Sequence, residues 1–441
     1  MEGKPPGKGL HSTLDAFTDR YAERTAGMTA SEIRALFAVA SRPEVVSLAG
    51  GMPYTTALPL DSVGKLMSDL MATRGAQALQ YGSGQGDPVL RELICEVMSL
   101  EGISASPEDI VVTVGSQQAL DLVTRVFCDP GDVVLAEAPS YVGALGTFAA
   151  YQAEVVHVAM DDDGLVPDAL REAIAAVTAS GKTAKFLYTI PNFHNPAGVS
   201  LAEARRDEIL AICKEAGLLV LEDNPYGLLG FDGPPTRALR ARSEDDDVVY
   251  LGSFSKTFAP GLRVGWVFAP HAVREKLVLA SEATVLCPPQ LNQLVVVEYL
   301  TTQDWRGQVE VFKDLYRERR DAMLDALTQL MPAGTTWTKP TGGFYVWLTL
   351  PEGLDSKVMQ PRALSARIAY VPGVGFYADG QGGRDMRLSY CYPEPDRIRE
   401  GVRRLAGVLE QELELLETFG PTTQPLRVGH AQAETPSPDM A

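Results

Sequence analysis

A chain of 441 residues with 45% hydrophobic and 22% charged residues has a globular composition, and it is long enough for two domains or one large domain with an elaborated second layer. Its formal net charge of -18 excludes nucleic acid and an anionic membrane as expected partners, because both are repelled at long range. The five cysteines (Cys95, Cys128, Cys213, Cys287, Cys391) form no C-x-x-C pair and read as reduced thiols of a cytoplasmic protein, and neither a signal-peptide pattern nor a long apolar run points to export or a membrane.

In chain order, residues 1–20 open on a Gly-, Lys- and Pro-rich stretch and are expected to be flexible. Residues 21–59 form an N-terminal arm. It has helical spacing at Ile33, Leu36 and Phe37 within Thr29 to Val39, then a short strand over Val45 to Leu48 that meets the turn Gly50-Gly51-Met52-Pro53. From about 60 to 315, apolar runs at Ile110–Val114, Val133–Ala136, Glu154–Val158, Phe186–Ile190, Leu218–Leu221, Val248–Leu251 and Val264–Phe268 read as strands. Helical patterns such as Gln117–Phe127 and Leu201–Ala216 separate several of them. That alternation predicts an α/β domain with a mostly parallel sheet between helical layers. Trp305–Leu330 reads as a long helix leading into a smaller α+β domain, residues 316–417, completed by the N-terminal segment. Strands are expected there at Gly342–Leu350 and Met386–Ser389, and helices at Pro361–Ala369 and Pro395–Leu416. The stretch 418–441 is poor in apolar residues and is expected to be disordered.

The run Ser253-Phe254-Ser255-Lys256-Thr257-Phe258-Ala259-Pro260-Gly261-Leu262-Arg263 carries the most chemistry. A lysine at the end of a buried strand sits where its pKa can fall, as an amine nucleophile requires. Ser253, Ser255 and Arg263 can gather a phosphate around it. An amine beside a phosphate site points to pyridoxal phosphate, which needs a lysine partner and a phosphate anchor. Other strand ends agree. Asp223, in Glu222-Asp223-Asn224-Pro225-Tyr226, suits a carboxylate that keeps a pyridine nitrogen protonated. Tyr226 and Asn195 can reach the ring's phenolic oxygen. Ser116, in Gly115-Ser116-Gln117-Gln118, opens a helix whose N-terminus faces an anion. Tyr141 follows a strand where it can stack on a ring face. Arg387, inside an apolar strand, demands an anion and suits a substrate α-carboxylate.

Other patterns carry nothing. Gly82-Ser83-Gly84-Gln85-Gly86 does not follow a strand and fails as a dinucleotide loop. The five histidines are scattered, no metal site is expected, and His194 reads as a packing or hydrogen-bonding residue.

Together these residues resemble the fold-type I pyridoxal-phosphate enzymes, and within them the class I/II aminotransferases near the 2-aminoadipate and kynurenine group. The resemblance spans about residues 28 to 415 and also includes Leu48-Ala49-Gly50-Gly51-Met52-Pro53, Leu79-Gln80-Tyr81-Gly82, Asn195-Pro196-Ala197-Gly198 and Arg387-Leu388-Ser389-Tyr390. It implies a transfer of amino groups between an L-amino acid and a 2-oxo acid. Lys256 would be the lysine bonded to the cofactor and the proton shuttle. Gln117 would join the phosphate site, and Asn195 would help Arg387 hold the substrate carboxylate. Gly51 would line the substrate pocket. The assembly would be a homodimer in which Tyr81 reaches the neighbouring subunit's phosphate. Arg34 falls on an arginine that can meet a distal carboxylate. Leu58, His194 and Ala197 depart from the family pattern, the first two near the pocket.

The same residues also suit β-elimination, decarboxylation or oxidative deamination, because the bond broken is the one held perpendicular to the ring. A regulator of the MocR type is not expected. Only about 28 residues precede the resemblance, where such regulators carry a basic DNA-binding domain.

Overall fold

The computed structural model describes Phe17 and residues 20–27 and 42–420. The expected helix over Thr29–Val39 with Arg34, most of the N-terminal stretch, and the tail from 421 on lie outside the described residues. Strand β1 (Val46–Ser47) precedes the main sheet. That sheet has eight strands: β2 (Ile110–Thr113), β3 (Val133–Ala138), β4 (Glu154–Asp161), β5 (Gly164–Leu165), β6 (Ala184–Thr189), β7 (Leu219–Asp223), β8 (Val248–Ser253) and β9 (Gly265–Phe268). Their order is β2-β9-β8-β7-β6-β3-β4-β5. Neighbours from β8 through β4 pair in parallel. β9 runs antiparallel to β2 and β8, so those two share one direction. All seven strands expected for this region lie in the sheet.

Its central strands are apolar on both faces because both faces are covered. Leu135, Leu187, Val220 and Val248 pack with Leu170, Val177, Ile209 and Cys213 of the helices Pro167–Ala179 and Glu203–Glu215. On the alternate face, Val134, Phe186, Leu221 and Val249 pack with Leu120, Val123, Phe148 and Leu277, three further helices' contributions. This is the period of two expected of a strand buried between helical layers.

The C-terminal part builds a second, antiparallel sheet from β10 (Thr336–Trp337), β11 (Tyr345–Thr349), β13 (Val371–Pro372) and β14 (Asp385–Ser389), ordered β10-β11-β14-β13. Between them, β12 (Ile368–Ala369) pairs in parallel with β1, which ties the N-terminal arm to this part. Helices Trp305–Leu330 and Pro395–Phe419 share its core through Phe312, Met323, Leu327, Val402 and Leu405.

Several boundaries differ from expectation: the strand expected from Gly342 begins at Tyr345, β4 runs on to Asp161, and two C-terminal helices shift. The helix expected over 361–369 spans Ser356–Ser365, because Asp355 caps it by accepting from the Lys357 and Val358 N–H groups. Arg367 then turns to φ 61, and Ile368 and Ala369 are taken up as a strand by β1. The last helix continues to Phe419, past Leu416.

Gly265 marks a close approach of two backbones. A Cβ there would lie 2.7 Å from Ser116 N and Gly115 C, where a strand meets the start of a helix. We expect Gly265→Ala to lower the unfolding free energy by about 1–3 kcal/mol, read by denaturant titration.

Candidate active site

The chemistry-bearing residues converge because β2, β3, β6, β7 and β8 end at one edge of the sheet. Ser116, Tyr141, Asn195, Asp223, Ser253 and Lys256 each close or follow one of these strands. β14 of the second sheet brings Arg387 over this edge. The result is a pocket of about 250 Å³ whose lining includes Ser116, Tyr141, Asn195, Asp223, Tyr226, Ser253, Ser255, Lys256 and Arg387. Gly51 lies at its wall, with Met52, Ile190, Pro225 and Tyr345.

Lys256 sits in the turn after β8. Its Nζ donates to the Gly51 carbonyl at 3.1 Å and lies 5.4 Å from the centre of the Phe344 ring and 5.9 Å from that of Tyr226. Burial, reinforced by the positive charges of Arg387 and Arg263, brings the amine down to about 8. Asp223 ends β7 and is 3% exposed. Its Oδ2 accepts from the Tyr188 hydroxyl at 2.8 Å, whereas its buried Oδ1 has no partner. Burial raises the carboxyl to about 7, against the Tyr188 hydrogen bond and the Lys256 charge. A buried oxygen left unpaired at a pocket wall suits a cationic N–H from a bound molecule.

Arg387 is 1% exposed. It donates to Asn195 Oδ1 and to the Ala49 carbonyl, each at 2.9 Å, and its guanidinium lies 4.2 Å from the Tyr345 ring centre. Its Nε has no protein partner. The Tyr226 hydroxyl lies 3.5 Å from that of Tyr345. Gly51 must be small, since a Cβ there would meet the Tyr345 hydroxyl at 1.9 Å.

The opposite end of the pocket is built for an anion. Gly115 precedes the helix Ser116–Phe127 at φ 74, so the helix's first N–H groups, which have no carbonyl partner within it, turn toward the strand edge. Ser253 donates to Ser255 Oγ at 2.9 Å, and Arg263 reaches Ser255 Oγ at 3.4 Å and the Val114 carbonyl at 3.3 Å. The Gln117 side chain does not join this cradle. It donates to the Gly143 carbonyl and Thr147 Oγ1 and accepts from the Tyr141 hydroxyl at 3.3 Å, so only its main-chain N–H can face an anion.

Tyr81 is 77% exposed and borders a separate groove with Gly82, Ser83 and Gln290, away from the pocket of its own chain. Arg34 lies outside the described residues. His194 is a buried structural residue: its Nδ1 accepts from the Ala197 N–H, and its Nε2 lies 3.1 Å from Glu137 Oε2. Among the described residues no group of side chains could hold a metal ion.

Tyr188, Tyr345 and Phe344 were not singled out from the sequence. Tyr188 carried a signal, since a tyrosine in a strand covered on both faces needs a partner for its hydroxyl. Tyr345 carried none, because its closeness to Gly51 exists only once the two sheets meet.

A buried amine, a carboxyl oxygen awaiting a cation, an anion cradle and a clamped arginine fit pyridoxal phosphate with an amino acid beside it. The comparisons agree. Residues 43–405 match the family model described as aminotransferase class I and II. Aromatic-amino-acid aminotransferase 1 of Thermococcus litoralis is 42% identical over 403 residues, covering 91% of this chain and 96% of the relative. The crystal structure of Pyrococcus horikoshii kynurenine aminotransferase, in complex with PMP and with KYN and KYA, superposes with a TM-score of 0.87 at 39% identity, covering 91% of this chain and all of that one (100%). An α-aminoadipate aminotransferase from Thermus thermophilus, complexed with N-(5'-phosphopyridoxyl)-L-leucine, gives 0.84 at 36% identity, covering 91% of this chain and 100% of that one.

The Asp223 geometry carries a thermodynamic consequence. A carboxyl raised from 3.8 to about 7 by burial resists ionisation only when folded. Its ionisation therefore destabilises the cofactor-free protein progressively as pH rises through that window. Asp223→Asn is expected to raise cofactor-free stability by ~2 kcal/mol at pH 8, and the difference should shrink toward pH 4, read by denaturant titrations across pH.

Proposed function

The chain belongs to the class I and II aminotransferases and is a pyridoxal-phosphate-dependent transferase acting on amino and 2-oxo acids; on that premise we propose how its residues divide the work. Bound pyridoxal phosphate supplies an electron sink for a bond at the substrate's α-carbon. Lys256 holds the cofactor and moves the proton at that carbon. An amine lowered to about 8 favours the role, since a useful fraction is unprotonated near neutral pH. Asp223 Oδ1 would accept from the ring nitrogen, with Tyr188 holding the carboxyl's other oxygen. Asn195 and Tyr226 would hold the phenolic oxygen, and Tyr141 would stack on the ring.

Ser116, Ser253, Ser255 and Arg263 hold the phosphate with the Gln117 main-chain N–H. Arg387, with Asn195, takes the α-carboxylate beside Gly51. Its present partners leave Nε free and use Nη1 and Nη2 for neutral oxygens, which a carboxylate can replace with stronger, charge-assisted bonds. Arg34 is the candidate for a distal carboxylate.

We read residues 60–315 as the cofactor-binding domain, and residues 316–417 with the 21–59 segment as the smaller domain that supplies Arg387. The assembly proposed is a homodimer. Its support is that Tyr81, 77% exposed and apart from its own pocket, lies beside Leu79, itself 72% exposed. In the dimer Tyr81 would reach the partner subunit's phosphate. A cytoplasmic location is supported by the five free cysteines, and among the described residues no helix is long and apolar enough to cross a membrane.

The observation that carries this reading is that the Lys256 amine and the unpartnered Asp223 oxygen share one pocket with Arg387. Lys256→Ala is expected to abolish both amino transfer and the visible absorption of bound cofactor; absorption that persists unchanged would contradict the assignment. Arg387→Gln should retain that absorption while raising KM for the amino acid by roughly 100-fold, the weight of a lost charge-assisted pair, in steady-state assays.

A further inference from the structure

Beneath the pocket, five buried polar side chains form a continuous chain that no role above uses. Arg206, 1% exposed on the helix Glu203–Glu215, donates to the carbonyls of Leu201 (3.1 Å), Pro191 (3.2 Å) and Arg237 (3.3 Å), and to Asn192 Oδ1 at 2.7 Å. Asn192 Nδ2 donates to Asn224 Oδ1 at 3.1 Å, and Asn224 Nδ2 donates to Glu101 Oε1 at 2.6 Å. The other carboxyl oxygen of Glu101 accepts from the Tyr250 hydroxyl at 2.9 Å. None of the five lines the pocket.

The chain connects two loops. One leaves β6 and carries Asn192 and Asn195; the other leaves its parallel neighbour β7 just after Asp223 and carries Asn224 and Tyr226. Glu101 comes from elsewhere, the connection between the helix Pro88–Ser99 and β2. It fits so closely under the second loop that a Cβ at Gly227 would lie 1.8 Å from its Oε1. Burial pushes its carboxyl up to about 7, with Glu222 adding to the rise and Arg206 opposing it. A 3%-exposed carboxyl is a costly way to fill a core. A fully bonded one fixes the geometry of its neighbours more sharply than an apolar contact does.

We propose that the Arg206–Asn192–Asn224–Glu101 chain locks the two loops in mutual register, and that Glu101 is a positioning residue for Tyr226 and Asn195. The proposal rests on the reading that those two residues hold the cofactor's phenolic oxygen. Donors at that oxygen favour the form of the bound cofactor in which it carries full negative charge. Loosening them lets a proton persist to higher pH.

The test is a pH titration of the visible absorption of the protein loaded with pyridoxal phosphate, for wild type, Glu101→Ala, Glu101→Gln and Asn192→Ala. We expect Glu101→Ala and Asn192→Ala to raise the midpoint by about one unit, the scale of one weakened hydrogen bond to a charged oxygen. Glu101→Gln keeps an acceptor for Asn224 and should titrate like wild type. Asn192→Ala leaves the Glu101–Tyr250 pair intact, so it decides the matter if Glu101→Ala does not fold. A role confined to stability would lower the melting temperature and leave the midpoint in place, and that result overturns the proposal. Failure of the underlying reading looks different: Tyr226→Phe, which removes a donor itself, would then also leave the midpoint in place, whereas under that reading it raises the midpoint.

Discussion

Three ionisable groups, the Lys256 amine, the Asp223 carboxyl and the Arg387 guanidinium, are held out of water around one pocket without complete sets of partners. The rest of the molecule is arranged to sustain that. Burial alone would neutralise the amine and the carboxyl, and it moves them toward each other, to about 8 and about 7. Asp223 keeps one hydrogen bond, from Tyr188, and leaves one oxygen unsatisfied. Such a group destabilises the folded chain by itself and is retained where a ligand completes it. In the proposed reading the cofactor is that ligand, and its binding offsets part of the stability that the pocket gives up.

The fold makes the arrangement possible through direction rather than through any single contact. Because β2, β3, β6, β7 and β8 point the same way, side chains far apart in sequence arrive at one edge. Helices on both faces keep the strands dry, so a charge at their ends meets protein rather than water. Arg387 arrives on a different sheet. The pocket therefore lies where the two sheets' chains face each other, with the Gly51 turn between them. Absence of a side chain at Gly51 lets Tyr345 approach, and the Gly51 carbonyl in turn holds Lys256.

Much of this was legible in the sequence, for physical reasons that can be named. The central strands are apolar throughout because both faces are covered, so Val133, Phe186 and Val248 announced a sandwiched sheet. Lys256, Asp223 and Ser116 stood out because polar groups directly after such strands have to be used for something. Boundaries were less legible where pairing overrode local preference, as when β1 drew Ile368 and Ala369 out of a helical pattern. That the Gln117 side chain turns to Thr147 and Tyr141 was not legible, because nothing local tells that they would engage it. Glu101 was invisible for the same reason, since its partners Asn224 and Tyr250 lie 123 and 149 residues away.

Every proposed role depends on Lys256 being the group that holds the cofactor. The direct measurement is to load the purified protein with pyridoxal phosphate, reduce it with borohydride, digest it and locate the phosphopyridoxyl label by mass spectrometry. The label is expected on Lys256, in the peptide that contains Ser255 and Thr257. A label on any other lysine, or none, would contradict this assignment.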